Sequence, residues 1–282
     1  MTDAKPQAHE ERRTLILTGA SRGIGHATVK RFSSAGWRVI TCSRHAFPED
    51  CPWAAGPEDH IQVDLSDPDD TLRAVADMRE RLTDGKLHAL VNNAGISPKG
   101  APITSPPPRL SGEALAKPDG EVGASAPGGG NSGARLNTLN TPMSVWRQVF
   151  EVNFFSIVWL ARGLMAELAA AKGAIVNVTS IAGSRVHPFA GSAYATSKAA
   201  LNALTREMAA DFGPLGVRVN AIAPGEIDTA ILSPGTDKIV ETIPLRRLGR
   251  TEEVAKAIYY LCTDQSSYVT GAELHINGGQ HV

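Results

Sequence analysis

The chain has 282 residues, of which 42% are apolar and 20% charged, and its formal net charge is −1 at pH 7. This size and composition are typical of a globular α/β protein with a substantial core. Because the charge is nearly balanced and no long basic block occurs, we expect neither a nucleic-acid partner nor a surface that binds an anionic membrane.

Cysteine, histidine and the first residues limit the possibilities further. The three cysteines form no CxxC motif and the eight histidines are scattered, so we expect a reducing compartment, no disulfide framework and no metal site. Residues 1–13 are polar, and no apolar run approaches the ~18 residues that span a bilayer. We therefore expect a cytoplasmic protein with a polar tail over 1–13 and one domain over 14–282.

Short runs rich in β-branched residues alternate with longer helical patterns along the chain. Strands are predicted at 14–19, 37–43, 60–65, 88–94, 174–180, 217–223 and 273–277. Helices are predicted at about 22–34, 68–83, 143–171, 193–212 and 251–263. Apolar strands between helices predict an α/β fold, a single-domain Rossmann-type doubly wound parallel sheet of about seven strands with helices on both faces.

The segment 97–142 interrupts this alternation and is rich in Pro, Gly, Ser and Ala. A connection of this length is uncommon in a compact domain and is usually a functional loop or a disordered insertion. Two interpretations stay open, a surface insertion and a lid or wall beside the active site.

The stretch TLILTGASRGIGHATV (14–29) predicts a strand, a glycine-rich turn and the start of a helix. Gly19, Gly23 and Gly25 would let backbone N–H groups and a helix N-terminus approach a phosphate closely. The same letters contain G-x-S-x-G, the nucleophile elbow of serine hydrolases, with Ser21 as nucleophile. That alternative lacks an earlier strand to supply the rest of an oxyanion hole.

Tyr194 and Lys198 lie four residues apart in GSAYATSKAA (191–200). On a helix this spacing puts both side chains on one face, where they form either a catalytic pair or two ordinary solvated groups. A phenol has a pKa near 10, and a nearby cation favours the phenolate. The pair alone does not decide between these interpretations.

Six motifs occur together and in order. They are TGASRGIG (18–25), NNAG (92–95), Asn153 in FEVNFFS, Ser180 in VNVTSIAG, YATSK (194–198) and APGEIDT (223–229). With them the chain resembles the short-chain dehydrogenase/reductase family from about residue 14 to the C-terminus, apart from 97–142. The resemblance implies a dinucleotide-binding and catalytic domain over 14–282, with 97–142 as an insertion in it. It also implies hydride transfer between a nicotinamide cofactor and a carbonyl or a secondary alcohol.

The resemblance also implies four catalytic residues. Tyr194 matches the acid/base, and Lys198 matches the cation that lowers the pKa of the tyrosine and holds the nicotinamide ribose. Ser180 matches the serine that donates to the carbonyl oxygen, with Ser184 as the alternative. Asn153 matches the residue that kinks its helix and positions a water in a proton relay, although a buried amide of purely structural role would also need hydrogen-bond partners.

Cofactor contacts are implied for the first loop, the ends of the next strands and the APGEIDT motif. The residues are Gly19, Ser21, Arg22, Gly23, Ile24, Gly25, Ser43, Arg44, Asp64, Leu65, Asn92, Ala94, Gly95, Tyr194, Lys198, Pro224, Gly225, Ile227 and Thr229. Of these, Asp64 matches an acid that hydrogen-bonds the adenine, with a neighbour of a helix cap as the alternative.

The end of the second strand predicts NADP(H) rather than NAD(H). An acidic residue there would bind the 2′-hydroxyl of the ribose, whereas arginine accommodates a 2′-phosphate. The sequence has Ser43 followed by Arg44, and Arg22 lies in the glycine-rich turn on the same side. Two guanidinium groups suit a phosphate.

The substrate is the least determined feature. Residues 243–279 resemble the C-terminal part of 3-oxoacyl-(acyl-carrier-protein) reductases, which implies a ketone or a 3-oxoacyl thioester, and Arg246, Arg247 and Arg250 could face an acidic carrier protein. Sugar, steroid and other alcohol dehydrogenases share this ending, and a non-catalytic NADP-binding sensor stays open beside the serine hydrolase. The resemblance further implies a homo-oligomer, a tetramer or a dimer.

Overall fold

The computed structural model describes residues 12–46, 57–99, 135–229 and 236–282. The strands in these ranges are β1 Thr14–Thr18, β2 Arg38–Ser43, β3 His60–Gln62, β4 Ala89–Asn92, β5 Ala174–Val178, β6 Arg218–Pro224, β7 Ile227–Asp228, β8 Gly249–Arg250 and β9 Glu273–Ile276. The α-helices are α1 Gly23–Ser33, α2 Pro68–Arg81, α3 Met143–Phe150, α4 Ser156–Gly163, α5 Met165–Ala171, α6 Ser192–Phe212, α7 Thr236–Val240 and α8 Thr251–Cys262.

Seven of these strands form one parallel sheet in the order β3-β2-β1-β4-β5-β6-β9. The chain runs outward from β1 in one direction and then returns to β4 on its other side, so the strand order reverses between β1 and β4. In open sheets of this kind, ligands bind outside the carboxyl ends of the strands at that reversal. The sheet, its parallel pairing and its strand number confirm the predicted fold class.

The two faces of the sheet are covered by different helices. Alternating strand residues point to opposite faces, so Ile16 packs in a core with residues of α2, α4, α5 and α6. Its neighbours Leu15 and Leu17 pack on the other face with residues of α1 and α8. Because both faces are covered, the strands are apolar throughout, which is why the sequence shows continuous apolar runs.

Helix α2 shows how local sequence sets an element boundary. The Asp67 carboxylate accepts hydrogen bonds from the backbone N–H groups of Asp69 and Asp70, and Pro68 occupies the first helical position. These contacts satisfy two N–H groups that the helix itself leaves without partners, and proline needs no donor there. The helix therefore begins where the sequence predicts it.

The predicted helix over 143–171 is broken twice. Residues Glu151–Phe155 form a π-helix between α3 and α4, and Leu164 ends α4 before α5 starts. The axis turns by 62° between 143–163 and 165–171. Within the described ranges no single helix is long and apolar enough to span a membrane. The segments 143–163 and 165–171 meet the length and composition of a membrane span only when they are taken together across the bend.

Strand bounds and the long insertion differ from the sequence in smaller ways. The third strand ends at Gln62 rather than at 65, which leaves Asp64 and Leu65 in a loop, and the pair β7 and β8 was not anticipated. Most of the segment 97–142 lies outside the described residues. At its described end, Leu136 O accepts a hydrogen bond from Ser192 N at the start of α6.

We expect Leu160→Ala to lower the free energy of unfolding by about 2–5 kcal/mol, because Leu160 is fully buried and its removal leaves a cavity. Leu139→Ala, at a side chain that is 71% exposed, should change it by less than about 0.5 kcal/mol. Urea unfolding of both variants measures the difference. Equal effects would contradict the assigned core.

Candidate active site

A cavity of about 600 Å³ opens at the carboxyl ends of the first four strands. Each of four consecutive loops contributes to it, as expected at the reversal of strand order. Among the sequence-predicted cofactor residues it is lined by Gly19, Ser21, Arg22, Ser43, Arg44, Asp64, Leu65, Ala94 and Gly95. The structure thus brings together residues that are separated by up to 76 positions in the chain.

The glycine-rich turn depends on the absence of side chains. Gly19 has φ +68°, and a Cβ there would lie 2.8 Å from the Ala94 Cα. A Cβ on Gly25 would lie 2.1 Å from the Gly19 carbonyl oxygen, so the turn and the start of α1 are in direct contact. Glycine is required at both places because any side chain would collide with backbone.

The N-terminus of α1 is left open toward this cavity. Arg22 precedes the helix without a side-chain cap, and no acidic residue lies in the first turn. The first N–H groups of a helix lack intrahelical partners and carry partial positive charge, which suits a phosphate. The cradle of the turn and these open N–H groups fit the pyrophosphate of a dinucleotide.

Asn93, which the sequence analysis did not single out, joins the turn to the loop after β4. Its side-chain amide donates to the carbonyl oxygens of Thr18 and Gly19 at 3.1 and 2.8 Å, and its backbone N–H donates to Thr18 Oγ1 at 3.1 Å. The predicted Asn92 has a different environment: it is buried and donates to Asn177 Oδ1 at 2.9 Å. The sequence signal for the role of Asn93 was its place directly after the predicted Asn92 in the NNAG motif.

The loop after β2 holds the predicted arginine beside the cavity. Ser43 Oγ donates to His45 O at 2.9 Å, and Gln62 Nε2 donates to Arg44 O at 3.0 Å. Across the cavity, Asp64 Oδ1 accepts hydrogen bonds from the backbone N and the Oγ of Ser66 at 2.9 and 2.8 Å. One carboxylate oxygen of Asp64 is therefore used within its own loop.

A second cavity of about 450 Å³ adjoins the first and shares Arg22, Asn93 and Gly95 with it. Eight of the other sequence-predicted residues line it, namely Ile24, Ser180, Tyr194, Lys198, Pro224, Gly225, Ile227 and Thr229. Gly23 lies at the boundary, since a Cβ on it would be 3.6 Å from Thr229 Cγ2. The two adjoining cavities lie along the carboxyl edge of the sheet, and we refer to them together as the cleft.

Tyr194 and Lys198 both project from α6 into this second cavity. Lys198 Nζ lies 5.8 Å from the centre of the Tyr194 ring and donates to Val178 O at 2.7 Å. The lysine side chain is almost fully buried, and burial lowers the pKa of Lys198 to about 8. At pH 7 the ammonium form is still the major one.

The pKa of Tyr194 is raised, which differs from the lowering expected from the lysine alone. Burial of the phenol is the largest cause, and the negative charge of Glu226 adds to it. A hydrogen bond with Ser180 acts in the opposite direction. The loss of water around the phenolate thus outweighs its stabilisation by neighbouring groups, and Tyr194 is a proton donor at neutral pH.

Ser180 is oriented by the turn that follows β5. It precedes the 3₁₀ helix Ile181–Gly183, and its Oγ accepts a hydrogen bond from Ala182 N at 3.2 Å. With this bond accepted, its hydroxyl proton can point toward Tyr194. The alternative residue, Ser184, donates its hydroxyl to Ile181 O at 3.0 Å instead.

Asn153 occupies the middle of the π-helix and is fully buried. Its Oδ1 accepts from Ile96 N at 2.9 Å, while its Nδ2 donates to Ile96 O at 3.1 Å and to Ser197 Oγ at 3.0 Å. A Cβ on Gly95 would lie 3.4 Å from Asn153 Oδ1 and 3.3 Å from Lys198 Nζ. The asparagine therefore connects the loop after β4 to α6 close to the lysine.

His187 and Glu226 complete the second cavity and were not predicted from the sequence. His187 Nε2 lies 2.7 Å from Glu226 Oε1, and the two side chains are 11% and 19% exposed. Both line the same cavity as Tyr194. The available signal was a carboxylate directly after Pro224 and Gly225 in APGEIDT, but nothing local indicated a histidine 39 residues earlier.

Two family models match the chain. Residues 13–107 match the model described as short chain dehydrogenase, and residues 122–281 match the model described as Enoyl-(Acyl carrier protein) reductase. The matched ranges flank the middle of the segment 97–142 and include both cavities.

Individual proteins are similar over nearly the whole chain. Protein FixR of Bradyrhizobium diazoefficiens is 54% identical over 96% of this chain and 88% of its own length. The 3-oxoacyl-(acyl-carrier-protein) reductase FabG of Aquifex aeolicus is 30% identical over 94% of this chain and 95% of its own. A crystal structure of a Brucella ovis oxidoreductase of the short chain dehydrogenase/reductase family, in complex with a partially ordered NAD, is 61% identical, with a TM-score of 0.74 and coverage of 95% and 100%.

We expect Lys198→Met to change how stability depends on pH. Below about pH 8 the folded wild type keeps a buried ammonium, which costs free energy relative to the unfolded chain, where the lysine pKa is 10.5. As pH rises from about 8 to 10.5 the folded state loses this proton first, so the cost falls by up to about 3 kcal/mol. Wild type should therefore gain stability relative to Lys198→Met between pH 7 and pH 10.

Urea unfolding of both proteins at several pH values measures this difference. The matched control is Lys256→Met, at an exposed lysine of α8. Its stability difference from wild type should stay constant over the same range. A constant difference for Lys198→Met as well would contradict the pKa of Lys198.

Proposed function

Because the chain belongs to the short-chain dehydrogenase/reductase family of oxidoreductases, we propose that it is an NADP(H)-dependent reductase of ketones. One observation carries this proposal: Ser180, Tyr194 and Lys198 line one cavity, and that cavity shares three lining residues with the cavity at the glycine-rich cradle. A carbonyl group beside the tyrosine would then lie next to the end of a dinucleotide that extends from the cradle. The bound nicotinamide would supply or accept the hydride.

Tyr194 supplies the proton in this proposal. Its raised pKa keeps the phenol protonated at neutral pH, so it can donate to the carbonyl oxygen as that oxygen gains negative charge. Ser180 donates a second hydrogen bond to the same oxygen and stabilises the developing charge. A protonated tyrosine favours reduction, whereas alcohol oxidation needs the phenolate and should increase with pH.

Lys198 and Asn153 support the tyrosine rather than touch the carbonyl. The Lys198 ammonium, held against Val178 O, holds the nicotinamide ribose and stabilises the phenolate after proton transfer. The Asn153 side chain uses both of its amide hydrogens on Ile96 O and Ser197 Oγ. We assign it to positioning the loop after β4 and α6, beside a water that returns a proton to the tyrosine.

The preference for NADP(H) rests on this chain's own residues. Arg22 and Arg44 line the first cavity together, and β2 ends in Ser43 without a carboxylate that would repel a 2′-phosphate. The two guanidinium groups would bind the phosphate by charge-assisted hydrogen bonds. The similar Brucella ovis protein was crystallised with NAD. A comparison of NADPH and NADH binding to the present protein is therefore the direct test of the proposed preference.

For the substrate we propose a ketone or a 3-oxoacyl thioester. The similarity to FabG supports the thioester. The arginines that could face a carrier protein give it little support, because Arg247 donates to both Glu253 oxygens at 2.9 and 2.7 Å and Arg250 lies 3.7 Å from the same carboxylate. These contacts favour a small substrate over a protein-bound one.

Family membership also supports a homo-oligomer and a cytoplasmic location. Met143 on α3 and Phe155 in the π-helix are about half exposed, which leaves apolar surface on this helical segment. Burial of this surface in a partner copy would lower its contact with water. Analytical ultracentrifugation distinguishes a monomer from a dimer or a tetramer.

We expect Tyr194→Phe to lower kcat for carbonyl reduction by about 10²- to 10⁴-fold, because the variant lacks the proton donor. The Kd for NADPH should change by less than about tenfold, since the phenol hydroxyl contributes one hydrogen bond at most. Loss of NADPH absorbance measures the rate, and quenching of protein fluorescence measures binding. Tyr268→Phe, at a fully exposed tyrosine, is the control. Full activity of Tyr194→Phe would refute the assignment.

We expect Arg44→Ala to raise the Kd for NADPH by roughly 10- to 100-fold, the effect of one lost hydrogen bond to a charged group. The Kd for NADH should change by less than about threefold, because NADH has no 2′-phosphate. Arg73→Ala, at an arginine of α2 whose side chain is 71% exposed, should affect neither cofactor. If both Kd values rise equally, the cofactor assignment is wrong.

A further inference from the structure

We propose that His187 and Glu226 bind a hydroxyl group of the substrate. Resting on the function proposed above, this predicts a hydroxyketone, or the corresponding polyol, rather than a plain ketone or an acyl thioester. The two residues stand on different loops, after β5 and after β6, and both line the cavity that contains Tyr194. The negative charge of Glu226 acts on the pKa of Tyr194, so the carboxylate lies near the reacting end of the cavity.

The hydrogen-bond pattern identifies the proton on the histidine. Phe189 N lies 3.3 Å from His187 Nδ1 and donates to it, so Nδ1 is an acceptor and the ring proton lies on Nε2. Glu226 Oε1 is 2.7 Å from Nε2 but lies off the direction of the N–H. Among the described residues this buried N–H has no aligned acceptor. Buried donors usually have partners, so the unmatched N–H points to a ligand.

The two loops are held in place by the C-terminal segment. Glu226 N donates to Gln280 Oε1 at 3.1 Å, and the Arg185 guanidinium donates to Gln280 O. A Cβ on Gly225 would lie 2.2 Å from Gln280 Oε1, so the contact leaves no free space. Gln280 itself is buried. A buried glutamine thus connects the loop of His187 to that of Glu226, and the pair is positioned before a substrate arrives.

The chemistry of the pair matches a hydroxyl group. A hydroxyl has one hydrogen to donate and lone pairs to accept, and the site offers a carboxylate acceptor beside an N–H donor. The hydrogen bond to the carboxylate is charge-assisted and therefore strong. An alkyl chain would displace water from Glu226 and replace none of its hydrogen bonds, while a substrate carboxylate would be repelled. The pair therefore selects for a neutral, hydroxylated substrate.

The test compares molecules that differ by one hydroxyl group. Reduction of 1-hydroxybutan-2-one and butan-2-one with NADPH gives a ratio of kcat/KM values, and acetoacetyl-N-acetylcysteamine represents the thioester. Calorimetric binding of butane-1,2-diol and butan-2-ol to the protein–NADPH complex gives a ratio of Kd values without turnover. In wild type both ratios should favour the hydroxylated molecule by about tenfold or more. Because each ratio compares two molecules on one protein, any effect of a variant on Tyr194 cancels.

Two substitutions of Glu226 test the origin of the preference. Glu226→Leu should bring both ratios to within about threefold of unity, and Glu226→Gln, which keeps the shape of the side chain, should lower them severalfold. Glu252→Gln, at an exposed carboxylate in the first turn of α8, should leave them unchanged. Thermal unfolding identifies any variant that fails to fold, in which case the other variant decides.

The outcomes separate this inference from the proposed function. The hydroxyl site would be overturned by a wild-type ratio near unity, by a ratio that Glu226→Leu leaves unchanged, or by a preference for the thioester. Oxidation of NADPH in the same assays would still support the proposed reductase. Diol binding that depends on Glu226, without reduction of any ketone or thioester, would overturn the proposed reaction and uphold the hydroxyl site. Absence of both binding and reduction would overturn both.

Discussion

The close approach between the loop after β1 and the loop after β4 is the contact on which the whole cleft depends. Gly19 adopts a left-handed backbone conformation and has no room for a side chain against Ala94. Asn93 donates to the carbonyls of Thr18 and Gly19, and the Thr18 hydroxyl accepts from the backbone N of Asn93 and Ala94. These bonds join the two strands at the reversal of strand order. Both cavities include Asn93, so the same contact sets the cofactor end and the substrate end.

Two buried polar side chains near the reacting centre, Asn153 and Lys198, are each held by hydrogen bonds to another element. Asn153 connects the loop after β4 to α6, and Lys198 donates to the end of β5. The π-helix that carries Asn153 has an extra residue in its turn, which places the amide where a regular helix would not. The burial that orients the lysine also lowers its pKa to about 8 and raises that of Tyr194. Orientation and proton affinity thus share one physical cause.

The substrate end is built differently from the cofactor end. The cofactor cradle consists of backbone and glycine, which any dinucleotide can approach, whereas His187 and Glu226 present side chains on loops held by Gln280. Side chains on loops vary without altering the sheet, so a common fold can serve different substrates. In this protein the side chains combine one N–H donor with one carboxylate. The negative charge of Glu226 raises the pKa of Tyr194. The substrate preference that we propose for this pair is therefore coupled to the protonation of the phenol.

The seven strands of the parallel sheet, the glycine-rich turn and the spacing of Tyr194 and Lys198 could all be predicted from the sequence. These features follow from local rules: side-chain periodicity, the backbone freedom of glycine and the 3.6-residue helical repeat. The tertiary structure alone decided the break at the π-helix, the role of Asn93 beside the predicted Asn92, and the meeting of His187 with Glu226. It also decided that burial raises the pKa of Tyr194 despite the nearby lysine. Each of these depends on contacts between residues far apart in the chain and on the loss of water around them, which no local pattern records.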